Sequence, residues 1–201
     1  GDREETFTGE SSAHKTPNCV TDTLTAIELC SAQENTITPA PNIATWGDAS
    51  LDTTKGLALH INAPTEERAR LLEATKELNL NIRETKRPAK RNYLNLCIVE
   101  KKEIAEAATF KSFKEGYVLD ITTEGVSIEA TTAQGLYYGL QSLRELCLAN
   151  NNSLPTCHIC DAPRFEYRGV LIDISRHFRT KEFLMRQIDM MAKMKMNRLH
   201  L

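Results

Sequence analysis

The sequence predicts an α+β domain followed by the opening of a (β/α) barrel, and three observations carry that reading. First, residues 57–148 run strand, helix, several adjacent strands, helix. That order suits an antiparallel or mixed sheet with helices on one face, not an alternating β/α domain. Second, YRGVLID (residues 167–173) is a near-continuous apolar strand, as found where a parallel sheet is buried on both faces. Third, a helix and a further strand follow it, which completes one βαβ unit. A single such unit begins a domain and does not finish one.

Each element has its own justification. Residues 1–36 are rich in Ser, Thr, Glu and Asn, lack periodicity and read as a polar arm. ITPAPN (37–42) is punctuated by proline and cannot be helical. Alternation starts at LALHIN, where Leu57, Leu59 and Ile61 share one face of a strand and His60 turns toward the surface. APTEERARLLEATKELN then reads as a helix capped by Thr65, with Glu66 and Glu67 in the first turn, where they favour the dipole. LNIRET, LNLCIVE, YVLDIT and GVSIEA are strands, the last two joined through TEG as a hairpin. TAQGLYYGLQSLRELCL returns to helical period, with Leu136, Leu140, Leu143 and Cys147 on one stripe. Gly135 and Gly139 each weaken that helix, so they point to close approach by a neighbour.

The pattern changes character after NNNSLPTCHICDAPRF. In TKEFLMRQIDMMAKMKM, Thr180 caps a helix whose inner side carries Phe183, Leu184, Ile188, Met191 and Ala192. NRLHL begins the next strand. The expected boundaries are therefore an arm over 1–36, an α+β domain over 37–160 and the βαβ unit over 161–201.

Composition narrows the function classes. The 201 residues are 41% hydrophobic and 26% charged, with formal net charge −2, so there is no basic field for nucleic acid or an anionic membrane surface. No apolar run approaches the roughly 20 residues of a membrane span. The polar opening GDREETFTGE is not a signal peptide and fits a cytosolic or a mature, processed protein. CHIC places Cys157 and Cys160 at a metal or redox spacing, but no second ligand pair follows, so the thiols read as buried or idle. Cys19 and Cys30 bracket a short loop that would be bridged in an oxidising compartment, with Cys97 and Cys147 left reduced.

The chemistry-bearing stretch is RGVLIDISRHF, residues 168–178. In a (β/α) barrel the active residues sit at the C-terminal ends of the strands. Asp173 closes the strand, and Arg176 and His177 lie in the loop beyond it, where a substrate would lie. Arg168 stands at the opposite end. A plain pairing of Asp173 with Arg176 across the barrel rim accounts for the same charges.

DAPRFEYRGVLIDISRHF, the spacing onward to DMMAKMKMNRLHL and the upstream TTAQGLYYGLQSLREL together resemble the family 20 glycoside hydrolases, the β-N-acetylhexosaminidases. ITPAPN followed by Trp46 is similar to the opening of that family's non-catalytic N-terminal domain. The resemblance covers residues 37–201. It implies a zincin-like α+β accessory domain followed by the first βαβ of a (β/α)8 TIM barrel, truncated here. Arg176 matches the arginine that binds the 3- and 4-hydroxyls of a terminal N-acetylhexosamine, a task suited to a guanidinium fork. Asp173 and His177 match positions that support this arginine and its loop. Arg168 matches a structural position, and His200 matches the first histidine of an H-x-H element, taken as core or support.

The family's reaction is substrate-assisted and retaining. The 2-acetamido oxygen attacks the anomeric carbon while a Glu acid and a neighbouring Asp assist, an exception to the two-carboxylate scheme. The resemblance puts that Asp-Glu pair beyond Leu201. Glu4-Glu5 and Glu66-Glu67 do not replace it, because each reads as solvated charge.

The expectation is thus the N-terminal portion of an exo-β-N-acetylhexosaminidase that removes terminal GlcNAc or GalNAc without metal or organic cofactor. It would be secreted, periplasmic or lysosomal, and residues 1–201 alone would be inactive. Its partners would be the glycan and the rest of the barrel, with self-association of the fragment open, and neither nucleic acid nor membrane. The rival expectations are a non-catalytic packing or carbohydrate-binding module left by truncation, and a cytosolic thiol or zinc protein built on CHIC.

Overall fold

A computed structural model describes residues 37–201. The expectations on the 1–36 arm, including a Cys19–Cys30 bridge, lie outside the described residues. Nine strands and three α-helices are present among them: β1 (Ile43–Asp52), β2 (Leu57–Asn62), α1 (Thr65–Thr75), β3 (Ile82–Glu84), β4 (Tyr93–Ile98), β5 (Tyr117–Ile121), β6 (Gly125–Ala130), α2 (Ala133–Asn150), β7 (Ser153–Asp161), β8 (Gly169–Leu171), α3 (Lys181–Lys193) and β9 (Arg198–His200). The first seven strands form one mixed sheet in the order β1-β7-β5-β6-β4-β2-β3. β5 and β6 pair antiparallel, as the TEG turn requires.

Alternation decides which side of each strand is buried. Leu57, Leu59 and Ile61 on β2, Leu94 and Leu96 on β4, and Val126 and Ile128 on β6 share one core with Leu136, Leu140 and Leu143 of α2. Both glycines of α2 serve close packing. A side chain at Gly135 would strike the Gly116 carbonyl, and one at Gly139 would strike Ile128. The opposite face is not bare: Ile104, Ala107 and Phe113 cover Val118 and Cys160 in a second, smaller core. The segment that supplies them includes two 3-10 turns, Lys101–Glu103 and Ala105–Thr109.

Three local readings are corrected. Thr65 does not cap α1: it is the first helical residue, and Pro64 takes the capping position with no side-chain bond. β1 and β7, to which the sequence reading gave no element, are strands paired with each other. Pro155 hides β7, yet it sits where β7 pairs with β1 alone, since pairing to β5 begins at Cys157; there its missing donor breaks no second ladder.

The βαβ unit is present, with β8 parallel to β9, and Thr180 caps α3 through the Phe183 amide at 3.2 Å. It is less buried than the apolar run suggests. β8 spans only three residues, with Leu171 66% exposed, and Phe178 is 85% exposed. On α3, Met191 is buried, while Ile188 is exposed. β8 and β9 pair only with each other among the described residues, so their outer edges and much of their faces meet no neighbour.

Candidate functional site

The two ends of β8 are built differently. At the C-terminal end, Asp173 Oδ1 accepts the backbone N–H groups of Ser175 at 2.9 Å and Arg176 at 3.0 Å, while Oδ2 pairs with Arg176 Nε. This is the aspartate turn, in which a short side chain bonds amides two and three residues on. The Arg176 backbone and side-chain bonds hold the Asp173 carboxyl below its ordinary range. Arg176 is 85% exposed in its side chain. Only its Nε is engaged, and both terminal Nη groups lack a protein partner among the described residues. The structure therefore brings Asp173 and Arg176 together on the loop.

It does not bring in the two histidines. His177 is exposed and makes no side-chain hydrogen bond among the described residues. His200, expected as core or support, has an exposed side chain with no hydrogen bond among the described residues, and its carbonyl accepts Ile172 N–H at 2.9 Å. Of the β9 side chains, only that of Leu199 is partly buried among the described residues.

At the N-terminal end, Arg168 is enclosed. Its Nη1 and Nη2 meet Glu115 Oε2 and Oε1 at 3.0 and 3.2 Å, Nε donates to the Lys195 carbonyl at 2.8 Å, and Nη2 lies 3.2 Å from the Tyr138 hydroxyl. Beside it stands Lys195, which the sequence reading missed. Lys195 ends the α3–β9 turn in the left-handed region at φ 56°. Its Nζ donates to Ser142 Oγ at 2.8 Å and Tyr117 Oη at 3.0 Å and lies 3.6 Å from Asp161 Oδ2. Burial pushes this ammonium's pKa down, against the pull of Asp161 and Glu145. Asp161 in turn accepts Asn42 Nδ2 at 2.6 Å. No local pattern marks Lys195; its partners lie 53 and 78 residues away.

A cleft of about 230 Å³ opens at this N-terminal end, lined by Asn42, Glu115, Tyr138, Phe165, Arg168 and Lys195. It lies away from Asp173 and Arg176; of its charged groups, Arg168 is bonded to Glu115 and Lys195 lies beside Asp161, while Arg164 stacks on Phe165. Cys157 and Cys160 cannot act as a pair, because a step of three positions along the strand sets them on opposite faces, Cys157 in the main core and Cys160 in the second.

Residues 34–162 match the family model described as glycosyl hydrolase family 20, domain 2, and residues 165–201 match the glycosyl hydrolase family 20 catalytic domain. The chain is 43% identical over 86 residues to an N,N'-diacetylchitobiase of Vibrio harveyi, covering 42% of this chain and 10% of that protein. A β-hexosaminidase of Vibrio vulnificus is 40% identical over 84 residues, with the same 42% and 10% coverage. Among solved structures, the Streptomyces plicatus N-acetyl-β-hexosaminidase in complex with Thio-NAglucal superposes with TM-score 0.67 at 26% identity, over 84% of this chain and 34% of that one. A β-N-acetylhexosaminidase of Streptomyces coelicolor gives TM-score 0.63 at 29% identity, over 83% and 34%. The matches thus span about a tenth of these curated relatives and about a third of the solved chains.

Proposed function

The chain belongs to glycosyl hydrolase family 20, and from that premise we propose that it is the accessory domain and barrel opening of an exo-acting β-N-acetylhexosaminidase. Residues 37–160 form the zincin-like domain, and 161–201 form the first βαβ of a (β/α)8 barrel. The whole protein removes terminal GlcNAc or GalNAc by substrate-assisted retaining hydrolysis, without metal or organic cofactor, in a secreted, periplasmic or lysosomal setting.

Arg176 binds the sugar, and the observation that supports it is the pair of Nη groups, unengaged among the described residues, on a guanidinium fixed through Nε by Asp173. Two adjacent donors on a planar fork match two adjacent hydroxyls. Asp173 sets the plane of the fork. His177 and His200 support the loop and the second strand once neighbouring strands are in place, and Arg168 is structural. The acid and the acetamido-orienting aspartate are supplied from outside residues 1–201.

The test uses an aryl N-acetyl-β-glucosaminide. The whole protein is expected to hydrolyse it, and purified residues 1–201 are expected not to. A whole protein without turnover overturns the enzyme reading. Turnover that scales with the pure 1–201 chain overturns the placement of the chemistry.

A further inference from the structure

Parallel strands lack the device that registers a hairpin. No tight turn joins β8 to β9; α3 and its loops intervene, and the pairing covers only Gly169↔Arg198, Val170↔Leu199 and Leu171↔His200. A slip of one residue would turn every side chain to the other face. Apolar packing does little to forbid it, since Leu171 is 66% exposed.

One carboxylate of the first domain touches both strands where they begin. Glu115 accepts from Arg168 Nη1 and Nη2 at 3.0 and 3.2 Å, and from Asn197 Nδ2 at 3.2 and 3.4 Å. Arg168 immediately precedes β8, and Asn197 immediately precedes β9. These two residues also bond each other: Arg168 N–H donates to Asn197 Oδ1 at 3.0 Å, and Asn197 N–H donates to the Arg168 carbonyl at 2.9 Å. The next pair along is Gly169↔Arg198.

Glu115 itself is held in place. It lies in a turn closed by Gly116 N–H on the Phe113 carbonyl at 3.0 Å, and α2 seats against that turn through Gly135. Its carboxyl stays charged: burial raises its pKa, but the bonds from Arg168 and Asn197 outweigh that and leave it lowered.

We propose that the first domain is a folding template for the barrel, in which Glu115 sets the register of the first strand pair by holding Arg168 and Asn197 level. Glu115 is then a positioning residue. Its effect on a sugar at the far end of β8 rests on the role proposed for Arg176; its effect on register does not.

Amide exchange on residues 1–201 tests the template without any activity. The reporting amides are Ile172 on the His200 carbonyl and Asn197 and Arg198 on the Arg168 carbonyl. Glu115→Leu is expected to speed their exchange by about 100-fold, the scale for uncovering one partner of an enclosed charge pair. Amides of β5 and β6 should stay within a few-fold. Glu115→Gln should fall between, because its carbonyl oxygen still accepts from both partners. Unchanged exchange in both variants overturns the proposal, and so does equal loss in every strand, which would make Glu115 a prop of the first domain. Should Glu115→Leu fail to fold, Asn197→Ala carries the test. It removes the Glu115–Asn197 bonds together with those of Asn197 to the Arg168 amide and the Glu166 carbonyl, so it must loosen the Ile172 and Arg198 amides at least as far as Glu115→Gln does for the proposal to stand.

Discussion

Two arginines eight positions apart flank one short strand, and almost nothing about their surroundings is alike. Arg168 is 17% exposed in its side chain and is bound to Glu115, Tyr138 and the Phe165 and Lys195 carbonyls. Arg176 is 85% exposed and, among the described residues, its side chain bonds only Asp173. An arginine whose donors are all spent on the protein holds a strand in place. One whose fork is oriented but left open can hold something else. On the proposed reading, the same residue type divides into anchor and receptor according to how many of its donors the fold has used.

The largest effect should come from the open fork, in catalysis. Each hydrogen bond to a charged group contributes about 1.5–3 kcal/mol. A two-pronged contact that tightens in the transition state is therefore expected to supply roughly twice that in kcat/KM. In the whole protein, Arg176→Lys should fall nearly as far as Arg176→Ala, since an ammonium cannot present two fixed, parallel donors. Neither change should move the unfolding free energy by more than about 0.5 kcal/mol, as for exposed surface sites. A lysine variant within a few-fold of wild type in steady-state kinetics breaks the receptor half of the comparison.

The anchor should behave in the opposite way. Arg168→Ala leaves Glu115, which is 21% exposed, facing Tyr138 and Asn197 without its cation. Breaking a largely enclosed pair on one side costs about 3 kcal/mol. Denaturant unfolding of residues 1–201 should show most of that loss, with α3 and β9 released first. Loss of less than about 0.5 kcal/mol would put Arg168 in the same class as Arg176.

The difference between the two arginines was legible in the sequence only as position. Arg168 stands at the start of an apolar strand and Arg176 beyond its end; that placement, joined to the family resemblance, suggests the roles without showing the partners. Leu57, Leu59, Ile61 and the α2 stripe were legible because alternation and helical period are local properties. β1 was not: most of its residues are exposed, and it is held by backbone pairing to β7 across more than 100 positions. β7 carried a proline, the strongest local argument against a strand. Glu115, Asn197 and Lys195 act through partners distant in sequence, so no local pattern singles out any of the three.

The smallest effect belongs to a third charged group, one neither enclosed nor open. His158 on β7 lies between Asp120 of β5, Nδ1 to Oδ1 at 2.6 Å, and Glu106 of a 3-10 turn, Nε2 to Oε1 at 3.2 Å. The Asp120 hydrogen bond raises the imidazole pKa, partial burial opposes it, and the charges of Asp120 and Glu106 add to the rise. A histidine raised on folding stabilises fully below its unfolded value of about 6.5 and loses that contribution as pH climbs through the folded value. Glu129 nearby is also raised, by burial first and then by Asp120 and Glu103. Its contribution fades in a lower window, beginning near the ordinary glutamate range of about 4.3. The side chain of His158 is 37% exposed, so the gain should be small and weakened by salt. The Tm difference between wild type and His158→Gln should therefore be greatest near pH 6 and vanish by about pH 9. Across that range the Ala105–Thr109 turn, which covers Cys160, should exchange its amides faster as the imidazolium is lost. An imidazole seen by NMR to titrate below about 6.5 would remove the cation from this site and with it the expected trend.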